Sequence, residues 1–186
     1  NRHANNNPTI TLKNGGELWV TSTGGQSGFI KPVTSIYGWT LDIQNGGNMH
    51  LGDGYLRGMY QNSAKGGALM VEAGTLTIDN GGIVYGSQTV SATMATIKVN
   101  GGTLITDNAT VLNAQQNGVG VWIEDSGTSD VQNIAVSGAA TGIVIKNAAP
   151  SIDGFTLDDN TVGMEINGGM SLPTVYRSPL LSGESA

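Results

Sequence analysis

Pairs of apolar residues separated by one other residue recur seven times along the chain. The pairs are Ile10/Leu12, Leu41/Ile43, Leu69/Val71, Ile97/Val99, Val121/Ile123, Ile143/Ile145 and Met164/Ile166. The spacing between successive pairs falls from 31 residues between Leu12 and Ile43 to 21 residues between Ile145 and Ile166. Repeats of this size indicate a solenoid, in which each unit buries its apolar side against its neighbours.

The residues that flank these pairs follow the two-residue period of a β-strand. The position after each pair is polar in all seven repeats, and the position before it is small, from Thr9 to Gly163. The polar residues are Lys13, Gln44, Glu72, Asn100, Glu124, Lys146 and Asn167. The pattern predicts an inward ladder of the second members of the pairs: Leu12, Ile43, Val71, Val99, Ile123, Ile145 and Ile166.

A sharp corner and a second strand follow most of the pairs. The corner is Asn-Gly-Gly at 14–16, 45–47, 100–102 and 167–169, and both residue types tolerate positive φ. The second strands carry the pairs Leu18/Val20, Met49/Leu51, Leu76/Ile78, Leu104/Thr106, Ile134/Val136 and Phe155/Leu157. This order predicts an all-β chain folded as a right-handed parallel β-helix of about seven coils.

An antiparallel β-sandwich is the alternative, because Asn-Gly between alternating apolar runs is also a strong β-hairpin signal. Three repeats replace this corner, with Ala73-Gly74-Thr75, with Asp125-Ser126-Gly127 and with Asn147-Ala148-Ala149-Pro150, and the repeat continues through them. The polar column also stays polar throughout. These observations favour the β-helix.

Residues 119–169 resemble repeats of the right-handed parallel β-helix superfamily, the pectate-lyase-like fold. The resemblance is carried by Gly142-Ile143-x-Ile145, then Ile152, Leu157 and Asn160, then Gly163-Met164-x-Ile166. The first half is similar to repeat modules of bacterial or archaeal surface proteins. The resemblance implies a fold and no particular chemistry, since this fold hosts lyases, hydrolases, tailspikes, adhesins and structural surface layers.

The repeat organisation predicts a single β-helix domain over 1–186. Longer coils occupy 8–117, compact coils of 21–22 residues occupy 118–172, and a terminal extension occupies 173–186. The chain begins without Met and its ends carry few capping signals, which predicts an excerpt of a longer extracellular protein or end-to-end self-association. Short loops that cover each end are the alternative.

Composition narrows the partners that this chain can have. The formal net charge is −6, from 14 acidic and 8 basic residues, which disfavours nucleic acid and anionic membrane surfaces. There is no cysteine, so disulfides and thiolate metal sites are excluded. No apolar run is long enough to span a membrane, so no membrane insertion is predicted.

The sequence offers no convincing catalytic constellation. Acid–base catalysis needs two groups of separated pKa in one groove. Asp158-Asp159 is present, but the Gly-His and Arg-x-Lys segments that a galacturonase-like pattern requires are missing. The chain is therefore interpreted as a non-catalytic protein that needs no cofactor.

Three aspartates follow second strands at nearly equal places in successive repeats: Asp53, Asp79 and Asp107. Stacked carboxylates repel one another unless a cation or hydrogen bonds compensate, and oxygen ligands suit Ca²⁺. These residues are candidate calcium ligands. The alternative is that each aspartate bonds its own turn.

Aromatic residues supply candidate binding surfaces. Trp19 and His50 occupy the same outward position in adjacent repeats and are expected to be neighbours. Trp122 is expected to point outward between Lys98 and Val144. Two lengthened segments, 22–37 and 52–67, hold further aromatics, including Tyr55 and Tyr60. Three roles are open for these aromatic side chains. They are expected to stack against sugar rings, to lie under a neighbouring protein domain, or to pack the lengthened segments onto the scaffold.

These features favour a non-catalytic structural, adhesive or assembly module of a secreted or cell-surface protein. A carbohydrate-binding or polysaccharide-processing β-helix is the alternative from a different functional class. The expected partners are a glycan or a neighbouring protein domain, together with other copies of the chain.

Overall fold

The protein is an all-β structure of two parallel sheets. The computed structural model describes residues 8–23, 26–30, 39–58, 67–86, 94–113, 118–125, 128–168 and 174–175. Among these residues there are eighteen strands, in sheets of seven and eleven, and no helix long and apolar enough to cross a membrane.

The first sheet contains the seven predicted pairs, one in each strand. Its strands, in spatial order, are β1 (Ile10–Leu12), β4 (Leu41–Ile43), β7 (Leu69–Val71), β10 (Ala95–Asn100), β13 (Val119–Glu124), β15 (Thr141–Lys146) and β17 (Val162–Asn167). The register joins Leu12 to Ile43 at one end and Ile145 to Ile166 at the other. The predicted alignment of the repeats is confirmed.

The second sheet is built from the segments between these strands. Nine of its strands form one path: β2 (Glu17–Val20), β5 (Asn48–Leu51), β8 (Thr75–Asp79), β11 (Thr103–Asp107), β14 (Asp130–Ser137), β12 (Ala109–Leu112), β9 (Ile83–Tyr85), β6 (Tyr55–Arg57) and β3 (Phe29–Ile30). In addition, β16 (Ser151–Asp158) pairs with β14, and β18 (Thr174–Val175) pairs with β16. The long strand β14 pairs with β11 along its first part and with β12 along its second.

The antiparallel sandwich alternative is wrong. Every pairing between the eighteen strands is parallel. Strands β1 and β2 flank the corner at Asn14 and Gly15 but belong to different sheets, so this Asn-Gly turns the chain from one sheet into the other. Its hydrogen-bonding partner is the next corner, because the Asn14 amide donates to the Asn45 carbonyl.

The interpretation of 22–37 and 52–67 as insertions is wrong for the part of each segment that forms a strand. Phe29 lies in β3, and Tyr55 and Arg57 lie in β6. These strands are short, and β6, like β9, points a single apolar residue into the core, namely Leu56 and Val84. A strand with only one inward residue has no alternation that a sequence pattern can detect.

Residues with positive φ mark the corners. Outside glycine they are all Asn or Asp: Asn14, Asn45, Asn80, Asn108, Asp125, Asn133, Asn147 and Asp159. Asn133 bends β14 at φ 48°, and Gly154 is the neighbouring residue in β16, at φ 66°. A Cβ at Gly154 would lie 2.5 Å from the Asn133 Oδ1 atom, and together with the positive φ this contact favours glycine at this position.

One apolar core lies between the sheets and receives side chains from both. In the predicted ladder, Ile43, Val71, Val99, Ile123 and Ile145 are fully buried. Leu12 is only partly buried. Ile166 continues the ladder in register with Ile145, but the expected burial is wrong for it, since it is 44% exposed. Ile166 lies in β17, which has no neighbour on its outer side among the described strands.

Candidate binding surface

The outward residues of β2, β5 and β8 form the surface that we call the Trp19 face. Its members are Glu17, Trp19, Asn48, His50, Thr75, Thr77 and Asp79. Strand alternation places them outward, because Met49, Leu51, Leu76 and Ile78 are buried on the opposite side. All of these residues except Asp79 line a cleft of about 230 Å³, and Met49 also borders it.

Trp19 and His50 are neighbours, as the repeat alignment predicted, and their rings are stacked. They are direct partners in the register of β2 and β5, with ring centroids 4.3 Å apart and an interplanar angle of 25°. Trp19 is nevertheless 62% exposed. One face of the indole is therefore supported by the imidazole while much of the ring remains accessible to a ligand.

His50 is held in turn by a carboxylate of the next strand. Its Nε2 atom lies 2.8 Å from Asp79 Oδ1, and the Asn80 amide donates to the same oxygen at 2.9 Å. Trp19, His50 and Asp79 thus form a chain of contacts across three adjacent strands. Such support fixes the ring orientation before a ligand arrives, which lowers the entropy cost of binding.

The three candidate calcium ligands do not form one site. Asp79 and Asp107 are register partners, but Leu51 pairs with Ile78, so Gly52 rather than Asp53 comes next to Asp79. Asp53 is therefore offset by one position from the column that Asp79 and Asp107 share. Among the described residues, no group of three or more His, Asp or Glu side chains could hold a metal ion.

Each of these aspartates accepts hydrogen bonds from protein groups. The backbone amide of Ser22 donates to Asp53 at 2.5 Å and the Ser22 hydroxyl donates to the other oxygen, which lowers the pKa of Asp53. Asn133 donates to Asp107 at 2.8 Å. Hydrogen bonds thus provide the compensation that stacked carboxylates require, and calcium binding stays a prediction.

Trp122 lies in the first sheet between Lys98 and Val144, as predicted. The Lys98 Nζ atom is 4.8 Å from the ring centroid and 3.1 Å from Glu124. Lys146 donates to Glu124 at 2.5 Å, and this bond is the main cause of a lowered pKa for Glu124. Because Trp122 is half-buried and carries this ion network beside it, it offers less open ring surface than Trp19.

A second aromatic row lies on the outer side of β3, β6 and β9. Phe29 and Tyr55 are stacked at 5.4 Å, Tyr55 meets Tyr85 edge-on at 6.0 Å, and the Arg57 guanidinium lies 6.0 Å from the Tyr85 ring centroid. Tyr55, Arg57 and Tyr85 line a cleft of about 390 Å³. Sequence reasoning singled out Tyr55 but missed the row, because it did not predict these strands. Tyr60, the remaining candidate, lies outside the described residues.

Comparison of the chain with protein-family models, curated proteins and solved structures finds no match in any of the three. The function is therefore argued from the site itself.

Proposed function

We propose that this chain is a right-handed parallel β-helix that serves as a non-catalytic adhesive module of a secreted or cell-surface protein. The chain passes from the first sheet to the second and returns one strand further along, from β1 through β2 and β3 to β4. Parallel crossover connections are right-handed in the great majority of cases. Six such passages connect the seven strands of the first sheet, and the resemblance to surface-protein repeats agrees with this arrangement.

The observation that carries the adhesive role is the exposed Trp19 ring, supported by His50 and through it by Asp79. An amphipathic aromatic on a rigid scaffold, with hydroxyl and amide groups around it, is typical of recognition surfaces. The face lies on strands, so its geometry is set by the ladder rather than by loop conformations.

A glycan array tests this role. The wild-type chain is expected to bind a subset of glycans, and Trp19→Ala is expected to lose up to about tenfold in affinity, the upper end of what one aromatic stacking contact contributes. Phe29→Ala is the matched control, because it removes a comparably exposed aromatic (54%) from the other end of the same sheet. Retained binding by Trp19→Ala, or release of cleaved glycan, would contradict the proposal.

Assembly is the second candidate, and the exposed β17 favours it. Val162 and Ile166 are 43% and 44% exposed on the last described strand of the first sheet. A strand with one unpaired edge and exposed apolar residues is a template for pairing with another chain. Sedimentation velocity over a range of protein concentrations is expected to show oligomers that Val162→Lys suppresses, whereas a monomer at all concentrations would exclude this role.

A further inference from the structure

The Trp19 face is negatively charged beyond the cleft itself. Glu17 and Asp79 lie on it, and Asp107 is the register partner of Asp79. Trp19, His50, Thr77 and Ile105 are successive register partners across the sheet, and Asp130 is the next residue in this row. Strands β2, β5, β8 and β11 contain no Lys or Arg. An anionic ligand on this face would therefore meet repulsion at short range, and these four strands supply no Lys or Arg to offset it.

The same face provides groups that suit an uncharged, hydroxylated ring. Thr75, Thr77 and Asn48 border the cleft and can both donate and accept hydrogen bonds, as sugar hydroxyls do. Glu17 adds an acceptor for hydroxyl protons. The flat face of Trp19 offers the apolar contact that the C–H side of a pyranose ring requires.

We propose that the Trp19 face binds glycans built of uncharged pyranose units and discriminates against uronate polymers. This inference rests on the proposed adhesive function and specifies its ligand class. The sugar ring packs on Trp19 and exchanges hydrogen bonds with Asn48, Thr75 and Thr77. Because the cleft is small and open, a single module binds with a dissociation constant on the order of 1 mM, and avidity arises where several copies of the module engage one polymer.

Ligand-observed saturation-transfer NMR with the full chain suits this affinity. The probes are hexasaccharides of glucose, mannose and galactose, with hexagalacturonate as the anionic counterpart and chitosan hexaose as the cationic one. At least one neutral hexasaccharide is expected to give transfer that Trp19→Ala abolishes, that Trp19→Phe retains in part and that Phe29→Ala leaves unchanged. Circular dichroism establishes that each variant is folded.

A charge-removing variant tests the discrimination separately. Glu17→Gln combined with Asp79→Asn keeps side-chain shape, and the new amide can still bond His50, so hexagalacturonate binding is expected to strengthen at least about threefold at low salt.

Hexagalacturonate bound by the wild type in preference to every neutral probe would overturn this inference and leave the adhesive function standing. Binding of chitosan hexaose alone would also overturn it, by showing a cation site. Absence of binding to all five probes would reject this inference and count against the adhesive function itself.

Discussion

Asp42 is a buried carboxylate whose surroundings oppose its charge. It lies on β4 and is 7% exposed, and the Gln44 amide donates to its Oδ2 atom at 2.6 Å, whereas its Oδ1 atom is buried without a hydrogen-bond partner among the described residues. Burial raises the pKa of Asp42, the nearby charge of Glu72 raises it further, and the Gln44 bond only partly compensates. The ionised form therefore destabilises the folded state.

Asp42→Asn is expected to stabilise the protein at pH 7. The pKa of Asp42 in the folded state is raised above the ordinary value of 3.8. The free-energy cost of its buried charge is therefore absent below pH 3.8, grows as the pH rises through the folded pKa and is complete above it. Asparagine keeps an oxygen for Gln44 and carries no charge. Thermal unfolding should give a higher Tm for the variant at pH 7 and no difference near pH 3. Asp53→Asn, whose carboxylate is stabilised by Ser22, is expected to give no increase at pH 7.

Glu124 provides the opposite case, because its partners favour the charge. Hydrogen bonds from Lys146 and then Lys98 lower its pKa below the ordinary 4.5, so its contribution is present above pH 4.5 and is lost as pH falls through the folded pKa. Glu124→Gln should cost up to about 1 kcal/mol at pH 7, given the exposure of Lys146. Urea unfolding at pH 7 and pH 3 measures this difference, and a cost that is equal at both values would exclude the ion network as its source.

At the scale of elements, corners of the same sequence differ in backbone conformation. In the corner at 45–47, Asn45 and Gly46 both have positive φ, at 45° and 78°. In the corner at 100–102, Asn100 belongs to β10 and only Gly101 has positive φ, at 78°. Asn-Gly-Gly therefore fixes the place of a corner and leaves its internal geometry to the neighbouring strands.

This difference predicts unequal effects of the same substitution. Asn45→Ala should destabilise by about 1–2 kcal/mol, because a Cβ disfavours the left-handed conformation without a compensating side-chain bond, while Asn45→Gly should be nearly neutral. Asn100→Ala is the matched control and should cost less than Asn45→Ala. Chemical unfolding of the three variants measures these losses of stability. Equal costs at both positions would indicate that backbone strain is not the cause.

At the scale of the molecule, burial along the ladder depends on having a neighbouring repeat on each side. Ile123 in β13 lies between β10 and β15 and is fully buried, whereas Ile166 in β17 is covered from one side only. Each buried aliphatic side chain contributes about 1.5–3 kcal/mol by leaving water. The centre of the stack therefore carries most of the hydrophobic stabilisation.

A central residue and an edge residue of the ladder give a matched pair of variants. Ile123→Ala should lower the free energy of unfolding by about 2–5 kcal/mol, because it removes transfer energy and leaves a cavity between two packed repeats. Ile166→Ala, the same substitution in the same column, should cost about 1 kcal/mol or less. Equilibrium urea unfolding compares them, and a larger loss at Ile166 would mean that another part of the chain covers β17.

The alternation of apolar and polar residues by itself determined the strands of the first sheet, their register and the placement of Trp19 beside His50. It could do so because inward neighbours must match in every repeat, and a shift of one residue would expose the ladder. Tertiary structure alone decided that β3, β6, β9 and β12 exist, since they are short and β3, β6 and β9 leave little alternation to detect. It also decided that Asp53 does not align with Asp79 and that His50 bonds Asp79, because both depend on residue offsets at corners that sequence periodicity does not encode.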